Sequence, residues 1–178
     1  MTGNLQGVSS LLFQGAGTSV FAVLDGASIP DLLDKLYTKQ RPEFECLYTG
    51  EIPPDVAEAA PYLVRLEQKS EFAEWVTGQG WGKHWGIFAL APVDFITMRG
   101  HLRRFLMVYD SNATALYFRY YDPRVLRTYL PTCSSDELAR FFGPVSSFVI
   151  EDEQPETALR FEIAKGALAR HKTQVALK

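Results

Sequence analysis

Short apolar runs alternate with short helical periodicities along this chain. Ser19–Asp25 reads Ser-Val-Phe-Ala-Val-Leu-Asp, a near-continuous apolar run that predicts a strand buried on both faces. Asp25-Gly26-Ala27-Ser28 predicts a turn, and Ser28 can cap a helix over residues 29–38 with Ile29, Leu32, Leu33 and Leu36 on one face. Residues 44–48, 62–66 and 84–90 predict three further strands. Pro53-Pro54 breaks the chain before one possible helical turn at 55–59. Between the last two of those strands, Ser70 caps an amphipathic helix over 71–77 with Phe72, Trp75 and Val76 inward, ended by Gly78, Gly80 and Gly82. A longer helix is expected over 92–104, with Phe95, Met98 and Leu102 on one face and Arg99 and Arg103 on another.

Residues 105–109 and 115–121 predict a hairpin whose second strand alternates aromatics around Arg119. That strand is expected to be largely buried and to run straight into a helix. Asp122 is a good N-cap because its carboxylate can accept the free N–H groups of the first turn. Pro123 suits the first helical position, where no N–H is needed. Helices are expected over 123–130 and 135–142, the second closed by Gly143-Pro144. Residues 147–151, 158–163 and 167–172 predict a β-meander, its last piece a strand or a frayed helix. Residues 1–18, rich in Gly, Ser, Gln and Asn, read as a flexible N-terminal arm, 19–150 as the main domain, and 151–178 as a strand-and-tail extension. The class is α/β (mixed α+β): a single domain with a mixed sheet flanked by short helices and a small C-terminal α/β extension.

The charged residues sharpen this picture at one place. A buried Arg119 requires a carboxylate partner to offset its desolvation, and Asp122 and Asp94 are candidates. Arg99, Arg103, Arg104, Arg119 and Arg124 admit two roles: an ion-pair network locking the 92–104 helix to the strand, or a polar groove that receives another chain. On the second reading, Arg103→Glu with Arg104→Glu should leave the fold intact and abolish partner capture. Asp25 ends a buried strand, where carboxylates of α/β sheets often act, but Asp-Gly is also a common turn.

Composition excludes more than it selects. The 178 residues are 47% hydrophobic with a net charge of −3, enough apolar content for a core and no global pull toward nucleic acid or anionic membrane. Cys46 and Cys133 match no metal spacing, and His84, His101 and His171 form no H-E-x-x-H motif, so no metal or cofactor is expected. No G-x-S-x-G elbow is present. The Gly-Gln-Gly-Trp-Gly-Lys run at 78–83 lacks the phosphate-loop spacing and follows a predicted helix. No run approaches the ~20 apolar residues of a membrane span. The N-terminus makes a poor secretion signal, so the chain reads as cytoplasmic. The 12 Phe, 8 Tyr and 3 Trp are residues that anchor interfaces as well as cores, and Trp81 and Trp85 are the candidate exposed anchors.

Several stretches, in order, resemble a bacterial family of type VI secretion effector adaptors, also called effector chaperones (Tap or Tec proteins) and first named as a domain of unknown function. They are Phe21-Ala22-Val23-Leu24-Asp25-Gly26-Ala27; Leu47-Tyr48-Thr49-Gly50 with Ala60-Pro61-Tyr62-Leu63-Val64; Trp75 with Gly80-Trp81-Gly82; His101-Leu102-Arg103-Arg104; Phe118-Arg119-Tyr120-Tyr121-Asp122-Pro123-Arg124-Val125-Leu126; and Phe141-Phe142-Gly143-Pro144. The resemblance covers about 19–150. It implies a non-enzymatic, cytoplasmic bacterial protein that binds a type VI effector and loads it onto the C-terminal region of a VgrG spike, with no nucleic acid, membrane or small-molecule substrate. Arg99, Arg103, Arg104, Arg124, Trp81 and Trp85 are then candidate partner-binding residues, and Asp25, Arg119, Asp122 and Pro123 a structural motif. The alternative is a small hydrolase-like enzyme using Asp25 and His101, which must converge on one pocket.

Overall fold

The run Ser19–Asp25 is the central strand, β2, of an eight-stranded sheet. The computed structural model describes residues 6–15 and 17–177. In chain order the elements are β1 (Gln6–Gly7), α1 (Val8–Leu12), β2, α2 (Leu32–Leu36), β3 (Phe44–Cys46), α3 (Pro54–Ala59), β4 (Pro61–Leu66), α4 (Glu71–Trp75), β5 (Gly86–Ala91) and α5 (Phe95–Arg103). A small hairpin follows, β6 (Met107–Tyr109) and β7 (Ala115–Tyr117), then α6 (Pro123–Tyr129), α7 (Ser135–Phe142), β8 (Ser147–Glu151), β9 (Thr157–Ala164) and β10 (Ala167–Ala176). The main sheet runs β1-β10-β9-β8-β5-β2-β4-β3 and is antiparallel except for the β1–β10 pair, while β6 and β7 form a separate two-stranded sheet.

β2 is apolar from Val20 to Leu24 because helices cover both faces of the sheet. Antiparallel sheets more often leave one face to water and alternate. Val23 stands opposite Leu63 of β4 and Ile87 of β5. Phe21 and Val23 point to a layer made by Phe95, Met98 and Leu102 of α5, Leu126 of α6, and Leu138, Phe141 and Phe142 of α7. Val20, Ala22 and Leu24 point to the opposite layer, with Leu11 and Leu12 of α1, Leu32 and Leu36 of α2, and Phe72 of α4. β5 comes so close to β2 that a Cβ on Gly86 would lie 2.1 Å from the Val23 carbonyl, which only glycine permits.

Helix starts follow their caps. Ser70, Asp94, Asp122 and Ser134 each accept a backbone N–H of the turn they open, and Ser134 with Glu137 completes a capping box. Four expectations change. The helix predicted over 29–38 is a 3-10 turn at Gly26–Ser28 capped by Asp25, then a shorter α2, because Asp31 adopts a left-handed conformation (φ 61°) that interrupts it. Within the expected flexible arm, Gln6–Leu12 forms a strand and a helix that buries Val8, Leu11 and Leu12. The expected buried strand at 115–121 stops at Tyr117, and residues 118–122 are irregular. Tyr120 and Tyr121 are buried there, yet the Arg119 side chain is 47% exposed. The final meander forms as read, but β9 and β10 continue the main sheet beyond β8 rather than standing as an extension.

Candidate functional site

Two buried carboxylates and two half-exposed arginines meet where β2 ends and α6 begins. Asp25, 1% exposed, accepts from Ala27 N–H (3.2 Å) and Ser28 Oγ (2.8 Å), which close the turn after β2. Its Oδ2 also accepts from Arg119 Nη2 at 2.5 Å. Asp122 holds Arg124 in a fork, Oδ1 to Nε at 3.0 Å and Oδ2 to Nη2 at 2.7 Å, while capping α6 through Arg124 N–H. Arg119 lies 3.9 Å from the Asp122 carboxylate, so one cation bridges both acids. Burial pushes the Asp122 carboxyl up, but the hydrogen bonds and charge of Arg124, helped by Arg119, outweigh it and hold it below the usual range. The carboxylates are inside and the guanidinium groups reach solvent. The expected partner Asp94 caps α5 instead.

The hairpin rises beside this junction. All six residues of β6 and β7 are exposed, and Met107, Val108, Tyr109, Leu116 and Tyr117 are large and apolar. Among the described residues no helix or sheet packs across it: Tyr109 is 71% and Tyr117 65% exposed. Tyr117 packs on Tyr48 with ring centroids 5.2 Å apart, and Phe118, the next residue, packs edge-on against Tyr129 of α6 at 4.7 Å. Beyond Tyr129 a surface depression is lined by Asp122, Arg124, Val125, Thr128 and Thr132. Apolar hairpin, aromatic bridge and outward arginines thus form one surface. A surface with this mix is what protein interfaces use, with aromatic area for affinity and arginine for orientation.

Other predicted residues are engaged internally. Arg99 and Arg103 share a helix face, as their spacing requires, and both meet Glu45 of β3. Arg103 also donates to the Cys46 carbonyl (2.8 Å) and, through Nε, to the Leu47 carbonyl (3.2 Å). Leu47 stands opposite Pro61, which has no N–H to give, and Arg103 replaces it. Arg103 is therefore a clamp between α5 and the sheet, and Arg103→Glu would break these contacts, contrary to the expectation that it leaves the fold intact. Arg104 is exposed and touches only His101 among its side-chain hydrogen bonds.

Trp81 and Trp85 are not exposed anchors, each being only 9% accessible. Trp81 donates its indole N–H to the Pro155 carbonyl (2.6 Å) and stacks on Phe88. Trp85 packs on Trp75 at 4.8 Å. The glycine run beside them, which contains a π-helical turn at Val76–Gly80, does cradle an anion, but an internal one. Glu151 accepts from Gly82 N–H (2.6 Å) and His84 N–H (2.9 Å) and lies against the His84 imidazole.

Asp25 and His101 are not brought together. Asp25 bonds to its own turn and to Arg119. His101, 3% exposed on α5, faces the end of α7, its Nε2–H donating to the Phe141 carbonyl (2.8 Å) while Nδ1 accepts from Arg104 (2.9 Å). Burial first, and the Arg104 charge after it, push the His101 pKa down. Gly143 closes α7 with φ +49°, and a Cβ there would lie 2.4 Å from the His101 ring. A cavity of about 500 Å3 opens beside the Asp25 turn, lined by residues 26–34 and Glu58, and neither Asp25 nor His101 lines it. Among the described residues no cluster of three His, Cys, Asp or Glu side chains could hold a metal, and no helix is long and apolar enough to cross a membrane.

The hairpin surface is what sequence reasoning missed. The hydrophobic pattern predicts the hairpin over 105–109 and 115–121 but carries no signal that its strands stop at three residues each and stay exposed.

The model of a family described as a domain of unknown function (DUF4123) matches residues 20–140, from the second residue of β2 into α7. That span contains both acids, both arginines and the hairpin. No curated protein and no solved structure matches the chain.

Proposed function

The chain belongs to the DUF4123 family, and we propose that it is a non-enzymatic adaptor that holds a type VI secretion effector and loads it onto the C-terminal region of a VgrG spike in the bacterial cytoplasm. One observation carries this reading. The hairpin displays five large apolar side chains to solvent, next to two outward arginines, in a protein whose other aromatics are mostly packed. Contiguous apolar exposure of this kind costs solubility unless a partner covers it. Arg119 and Arg124 suit such a partner because their carboxylates sit behind them. The two cations are already oriented, so little side-chain entropy is lost on binding. Arg124 is accordingly the residue of the expected set that remains best placed to touch a partner, with Arg104 second. Arg99 and Arg103 clamp α5 to β3, and Trp81 and Trp85 are core on the opposite face of the sheet.

A tagged form expressed in the native bacterium, with its secretion system active, is expected to retain one toxin-like protein and a VgrG spike. Recovery of neither would overturn the adaptor reading.

A further inference from the structure

We infer that the free edge of β3 is a docking strip for an extended segment of another protein chain, with apolar side chains at alternate positions, which joins the sheet as an added strand. The main sheet ends at β3, which pairs only with β4. The register fixes which backbone groups face out. Glu43, Glu45 and Leu47 stand opposite Arg65, Leu63 and Pro61 and turn their groups to β4: Arg65 N–H donates to the Glu43 carbonyl and Leu47 N–H to the Pro61 carbonyl, each at 2.8 Å. The residues between them must face the other way, so Phe44 and Cys46 direct their N–H and C=O groups outward.

One of these four groups is already taken, since Arg103 caps the Cys46 carbonyl. Among the described residues no hydrogen bond reaches the other three: Phe44 N–H, Phe44 C=O and Cys46 N–H. α5 thus seals the C-terminal end of this three-residue edge and leaves the rest of it open. An open pair on Phe44 and a further donor two residues on match the spacing of an incoming strand's backbone.

The side-chain chemistry fits the same occupant. A groove of about 500 Å3 runs along the edge, its aromatic and aliphatic part formed by Tyr37, Phe44, Ile52 and Tyr62 and its charged rim by Arg41, Glu43 and Glu45. Tyr37, 65% exposed, stands edge-on to Phe44 at 5.1 Å and forms a wall. Side chains of an added strand alternate between faces, so every second one would enter this aromatic groove.

A phage-displayed library of random linear nonapeptides, panned on the intact chain, tests the assignment. Enriched peptides are expected to carry apolar residues at alternate positions and to slow amide hydrogen exchange at Phe44 and Cys46. Cys46→Pro deletes one outward N–H and leaves the pairing with β4, as edge strands tolerate; it should weaken binding at least tenfold. N-methylation of alternate peptide amides should weaken binding to the unaltered protein at least tenfold in one register and not in the other, which reads the same bond if Cys46→Pro fails to fold. An absence of enriched peptides, or peptides indifferent to methylation in both registers that leave those two amides unprotected, overturns the assignment. So does protection of the same amides by concentration-dependent dimerisation without peptide, which would give the edge to a second copy.

Discussion

The corner around Trp81 and Trp85 and the hairpin Met107–Tyr117 carry similar side chains and meet opposite fates. In the corner the Trp81 indole reaches the Pro155 carbonyl, and the Gly82 and His84 amides close on Glu151. The rings then stack on Phe88 and Trp75, and the whole corner is core. The hairpin has backbone pairing and a contact from Tyr117 to Tyr48, but no layer behind it. An aromatic residue becomes an anchor not by its type but by whether the fold offers it a partner. Substitutions in the corner should therefore change stability, and substitutions on the hairpin should change binding.

The largest effect is expected from Trp85→Ala. Truncating a buried tryptophan costs about 3–5 kcal/mol, a large share of a typical domain's stability, so urea unfolding should shift strongly or the protein should fail to accumulate. Glu151→Gln is next. It weakens the acceptor for two loop amides and for His84, and about 1–3 kcal/mol is expected in the same assay. Arg119→Ala should cost a similar or smaller amount, about 1–2 kcal/mol, because it deprives the buried Asp25 of its cation while the Ala27 and Ser28 bonds remain.

Acid sharpens the same contrast. His101 and Asp122 both have depressed pKa values in the fold. For each, stability is full above the unfolded pKa and falls with pH as the unfolded chain takes up protons first. Loss should begin as pH drops through about 6.5 for His101 and about 3.8 for Asp122. His101→Gln should remove the upper step of a stability-against-pH curve and leave the lower one. The smallest stability effect is expected on the hairpin, where Tyr109→Ser should stay within about 0.5 kcal/mol.

Local chemistry made much of the fold legible. Asp122 and Ser70 announce their helices because a cap satisfies amides two or three residues away. β2 announces itself because burial on both faces makes Val20–Leu24 an unbroken apolar run. What stayed hidden is non-local. Arg119 finds Asp25 across 94 positions, and Arg99 and Arg103 find Glu45 across more than 50. The alternating aromatics from Tyr117 onward look the same whether a layer covers them or not, so neither the end of β7 nor the exposure of the hairpin could be read. The left-handed turn at Asp31 that shortens α2 likewise has no clear mark in an otherwise helical pattern.

The central claim is that the hairpin, not the tryptophan corner, meets a partner. The most direct measurement compares affinity capture from the native bacterium by the unaltered protein and by Tyr109→Ser with Leu116→Ser, with thermal unfolding of both. The expected result is an unfolding midpoint that barely moves and a captured partner that disappears. A folded double variant that still retains the same partner would contradict the account and move the interface away from the hairpin.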